Sequence, residues 1–226
     1  MKAKEVTEKV YIVGSSDLSD SRDCSVYLID AGDLVLVDAG AGPGFDRIVS
    51  NIKNLGFDPG KISTLILTHC HIDHVGGAHF FKEKYGPQIV MHDLDARVVE
   101  RGDQRMTAAF YYNINFKPLP VDIKFAKEEE HLSVCDHDIV CLHTPGHTPG
   151  SMSVYLDIGG KRVLFGQDIH GPFMKDFGSD LRQYRESMEK LLALKADVLC
   201  EGHFGVYQPA VRVADYIERY LDEYGE

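Results

Sequence analysis

The sequence has 226 residues, of which 44% are hydrophobic and 26% are charged, so we predict one α/β domain spanning residues 1–226. The formal net charge of −11 argues against nucleic acid as a partner, because phosphate backbones are bound mainly by cationic side chains. No apolar run is long enough to span a membrane and no signal core follows Met1, so we expect a cytoplasmic protein without a membrane partner.

The cysteine pattern indicates a reducing compartment. The five cysteines are widely spaced and form no CxxC pair, which favours reduced and mostly buried thiols: Cys24, Cys70, Cys135, Cys141 and Cys200. Cys70 lies between two histidines. On an extended segment its side chain points opposite to theirs, so we predict that Cys70 enters the core and does not bind a metal.

The first part of the chain predicts three strands followed by a helix. Residues 10–13, 24–29 and 34–37 are apolar and β-branched, and a tight turn makes the last two a hairpin. Asp38 ends the third strand, where it could either orient a ligand imidazole or cap a local turn. A helical pattern follows over residues 45–55.

Four potential metal ligands lie in the six residues from His69 to His74, directly after a buried strand predicted over residues 64–68. Imidazole nitrogen and carboxylate oxygen suit a divalent ion such as zinc. His69 and His71 are two residues apart and can point the same way, whereas Asp73 and His74 come after a turn. This spacing favours two neighbouring metal ions over one.

Residues 93–125 form the least regular part of the sequence. A helix over 75–84 and a strand over 88–91 predict a crossover unit before this segment. Within the segment the pattern predicts two short helices, the second over residues 106–112, and the stretch from Phe110 to Pro120 is aromatic and then extended. We consider two interpretations, a wall or lid over the active site, or ordinary packing that includes a homodimer contact.

The second half of the chain returns to strands and places three further candidates after them. Strands are predicted near residues 131–143, 151–156 and 162–165, then a helix that Ser179 could cap, then a short strand and a final helix. A rigid sheet presents ligands on the loops that follow its strands, and the candidates there are His147, Asp168 and His203. His143 is predicted to be structural.

The HxHxDH motif, the TPGHTPG loop around His147 and the strand-ending Asp168 resemble the metallo-β-lactamase-fold hydrolases. The resemblance extends from about Val10 to Glu226. It implies a four-layer αββα sandwich with the metal site among loops at one edge. Hydrophobic periodicity alone predicts only a mixed α/β chain.

The resemblance also implies two divalent metal ions per chain, zinc first and iron or manganese as alternatives. The ligands of the first ion would be His69, His71 and His147. Those of the second would be Asp73, His74 and His203, and Asp168 would bridge the two. A hydroxide shared by the two ions would attack a small-molecule substrate.

Proton transfer has several candidates in the sequence. Asp73 could orient the nucleophile or accept its proton. The leaving group could be protonated by Tyr207, with His170 and Tyr184 as alternatives.

The loop from Thr144 to Ser151 looks like that of glyoxalase II and the acyl-homoserine lactonases. Only 23 residues follow His203 (226 − 203), enough for one helix, so we expect no counterpart of the C-terminal domain of glyoxalase II. The glycine-cysteine-glycine-arginine stretch of those enzymes is also replaced, by the sequence from Ile169 to Phe173. We therefore predict hydrolysis of a small ester, thioester or lactone.

Three alternatives remain at this point. A mononuclear iron dioxygenase acting on persulfides would use only His69, His147 and Asp168. The same two metals could instead hydrolyse phosphodiesters or phosphotriesters. A purely structural metal site is the weakest alternative, because a closed structural site does not need seven ligands.

Overall fold

The computed structural model describes residues 2–224 as two β-sheets flanked by helices. The strands of the first sheet lie side by side in chain order: β1 (Lys4–Thr7), β2 (Val10–Gly14), β3 (Val26–Ala31), β4 (Asp33–Val37), β5 (Ile62–Ile66), β6 (Gln88–His92) and β7 (Ile123–Phe125). The pairs from β1 to β4 are antiparallel, which confirms the predicted hairpin, and those from β4 to β7 are parallel.

The second sheet contains the remaining strands: β8 (Glu129–Val134), β9 (His137–His143), β10 (Met152–Ile158), β11 (Lys161–Gln167), β12 (Val198–Glu201) and β13 (Val206–Tyr207). They also lie side by side in chain order, and only β11 and β12 pair in parallel. The helices are α1 (Phe45–Asn54), α2 (Ile72–Val75), α3 (Ala78–Tyr85), α4 (Asp93–Arg101), α5 (Leu181–Ala193) and α6 (Ala210–Tyr224).

Three apolar layers hold these elements in the order helix, sheet, sheet, helix. Alternate residues of one strand enter different layers, so Leu28 packs toward the helices of the first half and Ile29 toward the second sheet. Leu164 of the second sheet packs on α5 and α6 instead. Because the central strands are buried on both faces, their sequences are continuously apolar. The predicted four-layer αββα sandwich is confirmed.

Parallel pairing brings the carboxyl ends of several strands to the same edge of the sandwich. Asp38 follows β4 and His69 comes shortly after β5, its parallel neighbour. In the second sheet, Asp168 follows β11 and His203 comes shortly after β12, which pair in the same way. These connections place ligand-bearing loops from both halves of the chain close together.

Two sequence predictions about helices are wrong. Residues 106–112 form a series of turns and no helix. The Asp103 side chain accepts hydrogen bonds from the N–H groups of Arg105 and Met106, and Ala108 has a left-handed φ of 57° that interrupts a helix. The cap of α5 is Asp180 and not Ser179, since the Asp180 carboxylate accepts hydrogen bonds from the N–H groups of Arg182 and Gln183.

No helix within residues 2–224 is long and apolar enough to cross a membrane.

His92 links the end of β6 to α4 and is neutral in the fold. It is 3% exposed, its ring stacks on His143 with centroids 3.9 Å apart, and its Nδ1 accepts a hydrogen bond from the Leu94 N–H. Burial and the neighbouring His143 lower the pKa of His92 to about 4. Nε2–H of His143 donates a hydrogen bond to the Pro149 carbonyl at 2.9 Å, which is a structural role as predicted.

We expect His92→Asn to reduce the acid sensitivity of the fold. An unfolded histidine has a pKa of about 6.5, so between pH 6.5 and 4 His92 is protonated in the unfolded chain but neutral in the folded one. The resulting loss of folding free energy, about 3 kcal/mol at most, is fully absent above pH 6.5 and grows as the pH falls. Asparagine keeps a capping oxygen without titrating. Urea unfolding of the metal-free protein at pH 7 and pH 4.5 measures the difference.

The matched control is His131→Asn. A hydrogen bond to Asp138 raises the pKa of the exposed His131 imidazole, so the folded state binds this proton more tightly than the unfolded state. Removing His131 should therefore not reduce the loss of folding free energy at acid pH. An equal pH dependence of unfolding in His92→Asn and the parent protein would contradict the expectation.

Candidate metal centre

The structure brings all seven predicted ligands together at one edge of the sandwich. One group, whose ligand atoms lie within 4.8 Å of one another, consists of His69, His71, His147 and Asp168. A second group with the same spacing consists of Asp73, His74 and His203. Both groups contain residues from the two halves of the chain.

In the first group three imidazole nitrogens converge on one point. Nδ1 of His71 lies 3.2 Å from Nε2 of His69 and 2.9 Å from Nε2 of His147. The Asp168 carboxylate faces them through Oδ2, which is 3.5 Å from His147 Nε2 and 3.9 Å from His69 Nε2. This is a three-nitrogen, one-oxygen donor set of the kind that binds zinc.

The second group uses the other oxygen of the same carboxylate. Oδ1 of Asp168 lies 3.2 Å from Nε2 of His74 and 3.5 Å from Nε2 of His203. His203 Nε2 is in turn 3.2 Å from Oδ2 of Asp73. Because its two oxygens face different groups, Asp168 has the geometry of a bridging ligand.

The hydrogen bonding of His74 tests whether a cation fits here. Its Nδ1 lies 2.8 Å from Oδ2 of Asp38, so Nδ1–H is the donor to that carboxylate. In a neutral ring Nε2 then carries a lone pair that faces Oδ1 of Asp168. Within the described residues neither atom has a hydrogen-bond partner, and both are buried. Two buried electron pairs at 3.2 Å would repel, so a positive charge is needed between them. A proton on Nε2 can supply it, because burial, which lowers the pKa of His74, is outweighed by the surrounding carboxylates, which raise that pKa, and a bound cation can take the place of that proton.

The electrostatics of the first group prepare its histidines as ligands. Burial, and then the neighbouring His71, lower the pKa of His147 to about 3. Burial likewise lowers the pKa of His69 and of His71. Neutral imidazoles at physiological pH leave their lone pairs available to a metal.

The second group concentrates negative charge. Burial raises the pKa of Asp73 and Asp168, but the nearby His74 and His203 outweigh it and hold both values below the usual range. Burial lowers the pKa of His203, whereas the two carboxylates raise it to about 10. The carboxylates therefore stay ionised and attract positive charge, which a divalent ion supplies.

Glu201 supports the second group from beneath. It is fully buried, and its Oε2 accepts hydrogen bonds from the N–H groups of His203 and Phe204 at 2.6 and 2.7 Å. Its Oε1 lies 2.8 Å from Nδ1 of His170. His170 lines the cleft, and one of its ring nitrogens is within 4.8 Å of the ligand atoms of Asp168 and His203. Its role in proton transfer stays a prediction.

The structure does not bring the two predicted tyrosines into the cleft. The hydroxyl of Tyr207 donates to the Phe204 carbonyl, and its ring packs against Tyr216. Tyr184 is buried and its hydroxyl donates to the Ile169 carbonyl. The prediction of Tyr207 as proton donor is therefore wrong, because its hydroxyl donates to the Phe204 carbonyl and Tyr207 does not line the cleft.

Tyr111 and Tyr112 line the cleft, in agreement with the interpretation of the aromatic stretch as a wall, but the sequence analysis did not name Tyr112 as a proton donor. Five of the seven ligands, all except His69 and His74, line a cleft of about 390 Å³ whose walls include Ala108, Tyr111 and Tyr112. Burial, and then the charge of Asp73, raise the pKa of Tyr112, which keeps its hydroxyl protonated. Tyr112 is therefore a neutral donor beside Asp73. The aromatic run of residues 110–112 was the available signal.

Two cysteines lie near the ligands with different surroundings. Cys70 is buried in the first core layer and its thiol contacts the Met106 carbonyl, away from the histidines. Cys24 lies with Asp38 and His74 in a buried cluster behind the second group. Burial raises the pKa of the Cys24 thiol, which keeps it protonated.

Comparison with known sequences identifies related proteins. Residues 20–203 match the metallo-beta-lactamase superfamily. A hydroxyacylglutathione hydrolase of Haemophilus influenzae is 29% identical over 193 residues, which cover 82% of this chain and 86% of that protein. An uncharacterized protein of Aquifex aeolicus is 30% identical over 148 residues, and an N-acyl homoserine lactonase of a Bacillus species is 27% identical over 112. These matches cover 65% and 50% of this chain, and only 64% and 40% of the two relatives.

Solved structures share the architecture. A metallo-beta-lactamase of Cronobacter sakazakii superposes with a TM-score of 0.84 at 20% identity, covering 100% of this chain and 93% of that chain. A subclass B3 metallo-beta-lactamase of Bradyrhizobium japonicum gives 0.81 at 24% identity, with 100% and 91% covered. At these identities the likeness concerns the fold alone.

Proposed function

The chain belongs to the metallo-β-lactamase superfamily, and from this premise we propose that it is a dinuclear metal-dependent hydrolase of small esters, thioesters or lactones. The observation that carries the proposal is the shared carboxylate of Asp168, which faces one ligand group with each oxygen. When bound, two divalent ions would supply a hydroxide nucleophile near neutral pH and a Lewis acid for the substrate oxygen.

The protein's own side chains supply orientation and proton handling. Asp38 fixes the ring of His74, and Glu201 fixes the loop of His203. Asp73 is ionised and lies beside the Tyr112 hydroxyl, so this pair can hold and deliver a proton at the cleft floor. The burial of these groups keeps their geometry before substrate arrives, which is what catalysis by preorganised polar groups requires.

The walls of the cleft favour acyl substrates over phosphodiesters. They include the apolar surfaces of Tyr111, Pro172, Met174 and Phe177, and no lysine or arginine among residues 2–224 lines them. A phosphodiester keeps a negative charge that cationic side chains usually neutralise. An uncharged ester, thioester or lactone needs no such partner and gains from the apolar walls.

The ligand count favours hydrolysis over the dioxygenase alternative. A mononuclear iron site would use His69, His147 and Asp168 as its ligands. It would not account for His71, whose Nδ1 lies 2.9 Å from Nε2 of His147 in the same group. The second group would be equally unused. Seven converging ligands are accounted for by two ions, with zinc as the first choice for this nitrogen-rich set.

We expect protein loaded with zinc to contain about two metal ions per chain and to hydrolyse chromogenic thioesters or lactones faster than phosphodiesters. Metal analysis, a substrate panel and an oxygen electrode test this on one preparation. One iron per chain with oxygen uptake would replace the proposal by the dioxygenase alternative. Hydrolysis of phosphodiesters alone would replace the acyl substrate class.

A further inference from the structure

A buried carboxylate outside the seven ligands connects the two loops that carry the first group. Asp95 is 1% exposed and lies in the first turn of α4. Its Oδ2 is 2.8 Å from the backbone nitrogen of Cys70 and 2.7 Å from the hydroxyl of Thr148. Its Oδ1 is 2.7 Å from the backbone nitrogen of Gly150. All three partners donate to the carboxylate.

The three donors belong to loops that are far apart in the chain. Cys70 stands between His69 and His71, and Thr148 directly follows His147. The first group therefore combines two histidines from the first half with one from the second, and Asp95 bonds to the neighbours of all three. Their mutual placement depends on this contact.

The close approach of backbone and carboxylate explains the second glycine of the TPGHTPG loop. A Cβ added to Gly150 would lie 2.5 Å from the Asp95 backbone nitrogen and 2.6 Å from its Oδ1. Real Cβ atoms do not approach backbone this closely, so glycine is needed for the loop to reach Asp95. The loop is thus built around this carboxylate.

We propose that Asp95 is a positioning residue that sets the affinity of the first metal ion by fixing the His69–His71 loop against the His147 loop. The inference rests on the proposed dinuclear function. Asp95 plays for the first group the part that Asp38 plays for the second, but it acts on the backbone of the ligand loops and not on a ligand ring. Loss of a group that orients ligands typically costs about 10–100-fold in metal affinity.

The test compares Asp95→Asn with Asp38→Asn by titration with Co²⁺, whose visible absorption reports its ligand geometry. In Asp95→Asn the first-site affinity should fall about 10–100-fold while the second site is retained. In Asp38→Asn the second site should weaken instead, so the residual spectra of the two variants should be complementary. Asp122→Asn controls for the loss of a charged side chain's hydrogen bond to backbone. The Asp122 carboxylate accepts from the Ile89 N–H near the amino end of β6, whereas the ligand loops follow the carboxyl ends of the strands.

Circular dichroism establishes that each variant is folded. A folded Asp95→Asn with parental affinity and spectrum for both sites would overturn the inference. If Asp95→Asn does not fold, Thr148→Val removes one of the three contacts and keeps the carboxylate; it should still weaken the first site selectively, and unchanged Co²⁺ binding would overturn the inference. Failure of the parent protein to bind two Co²⁺ ions would instead reject the dinuclear function itself.

Discussion

Asp168→Ala is expected to lower the rate of hydrolysis by a factor of about 10³ or more. This exceeds the loss of about 10–100-fold that is typical when a residue that only orients a metal ligand is replaced. The substitution removes both oxygens of the carboxylate that we propose to bridge the two ions, so each ligand group loses one donor at the same time. It also removes the carboxylate oxygen that lies 3.2 Å from Nε2 of His74 and 3.5 Å from Nε2 of His203. Steady-state kinetics together with metal analysis of the purified variant measures the effect.

A surface aspartate offers the control for this result. Asp157→Ala removes the same side chain at the end of β10, where it is 64% exposed and pairs with Arg162, and it should leave turnover unchanged. Because the Asp168→Ala variant lacks a ligand to both ions, added zinc should not restore its activity. Activity near the parental level would refute the assignment of Asp168 as the bridge.

Asp38→Asn is expected to lower the affinity of the second metal site about 10–100-fold and to lower kcat/KM in limiting zinc correspondingly. Asp38 accepts from Nδ1 of His74 and from the N–H and hydroxyl of Thr68, so it fixes both the tautomer and the ring plane of a ligand. Asp38 has a left-handed φ of 61°, which asparagine tolerates. The backbone should therefore survive the change.

Excess zinc distinguishes this variant from the loss of a ligand. Because all seven ligands remain in Asp38→Asn, saturating zinc should restore most of its activity, in contrast to Asp168→Ala. Asp30→Asn, which changes the carboxylate that accepts from the Gly32 N–H in the hairpin, serves as control. Parental zinc dependence in Asp38→Asn would exclude a positioning role for Asp38.

The ligand positions were predictable because each depends on a local pattern. A buried apolar strand followed by histidine or aspartate is visible in the sequence before His69, Asp168 and His203. The structure places these residues after β5, β11 and β12, at strand ends that parallel pairing brings to one edge. Strand pattern and ligand type thus sufficed without any knowledge of distant contacts.

The supporting residues were missed or misassigned because their roles depend on such contacts. Ser179 was predicted to cap α5, yet its hydroxyl donates to the His147 carbonyl and so holds a ligand loop. Tyr207 is close to His203 in sequence but turns away, whereas Tyr112 is distant in sequence and lies beside Asp73. Proximity in the chain was the wrong guide for groups that face across the cleft.

The sequence by itself determined the types of ligand, the separation of His69 and His71 from Asp73 and His74, and the mixed α/β character of the chain, since these follow from residue identity and short-range periodicity. The assignment of His147, Asp168 and His203 to the two groups was implied by the family resemblance. Only the tertiary structure decided that Asp168 turns one oxygen to each group and that Asp95 joins the His69–His71 loop to the His147 loop. The physical reason is that hydrogen-bond partners are set by the packing of the two sheets, which brings together residues as far apart as Asp95 and Thr148.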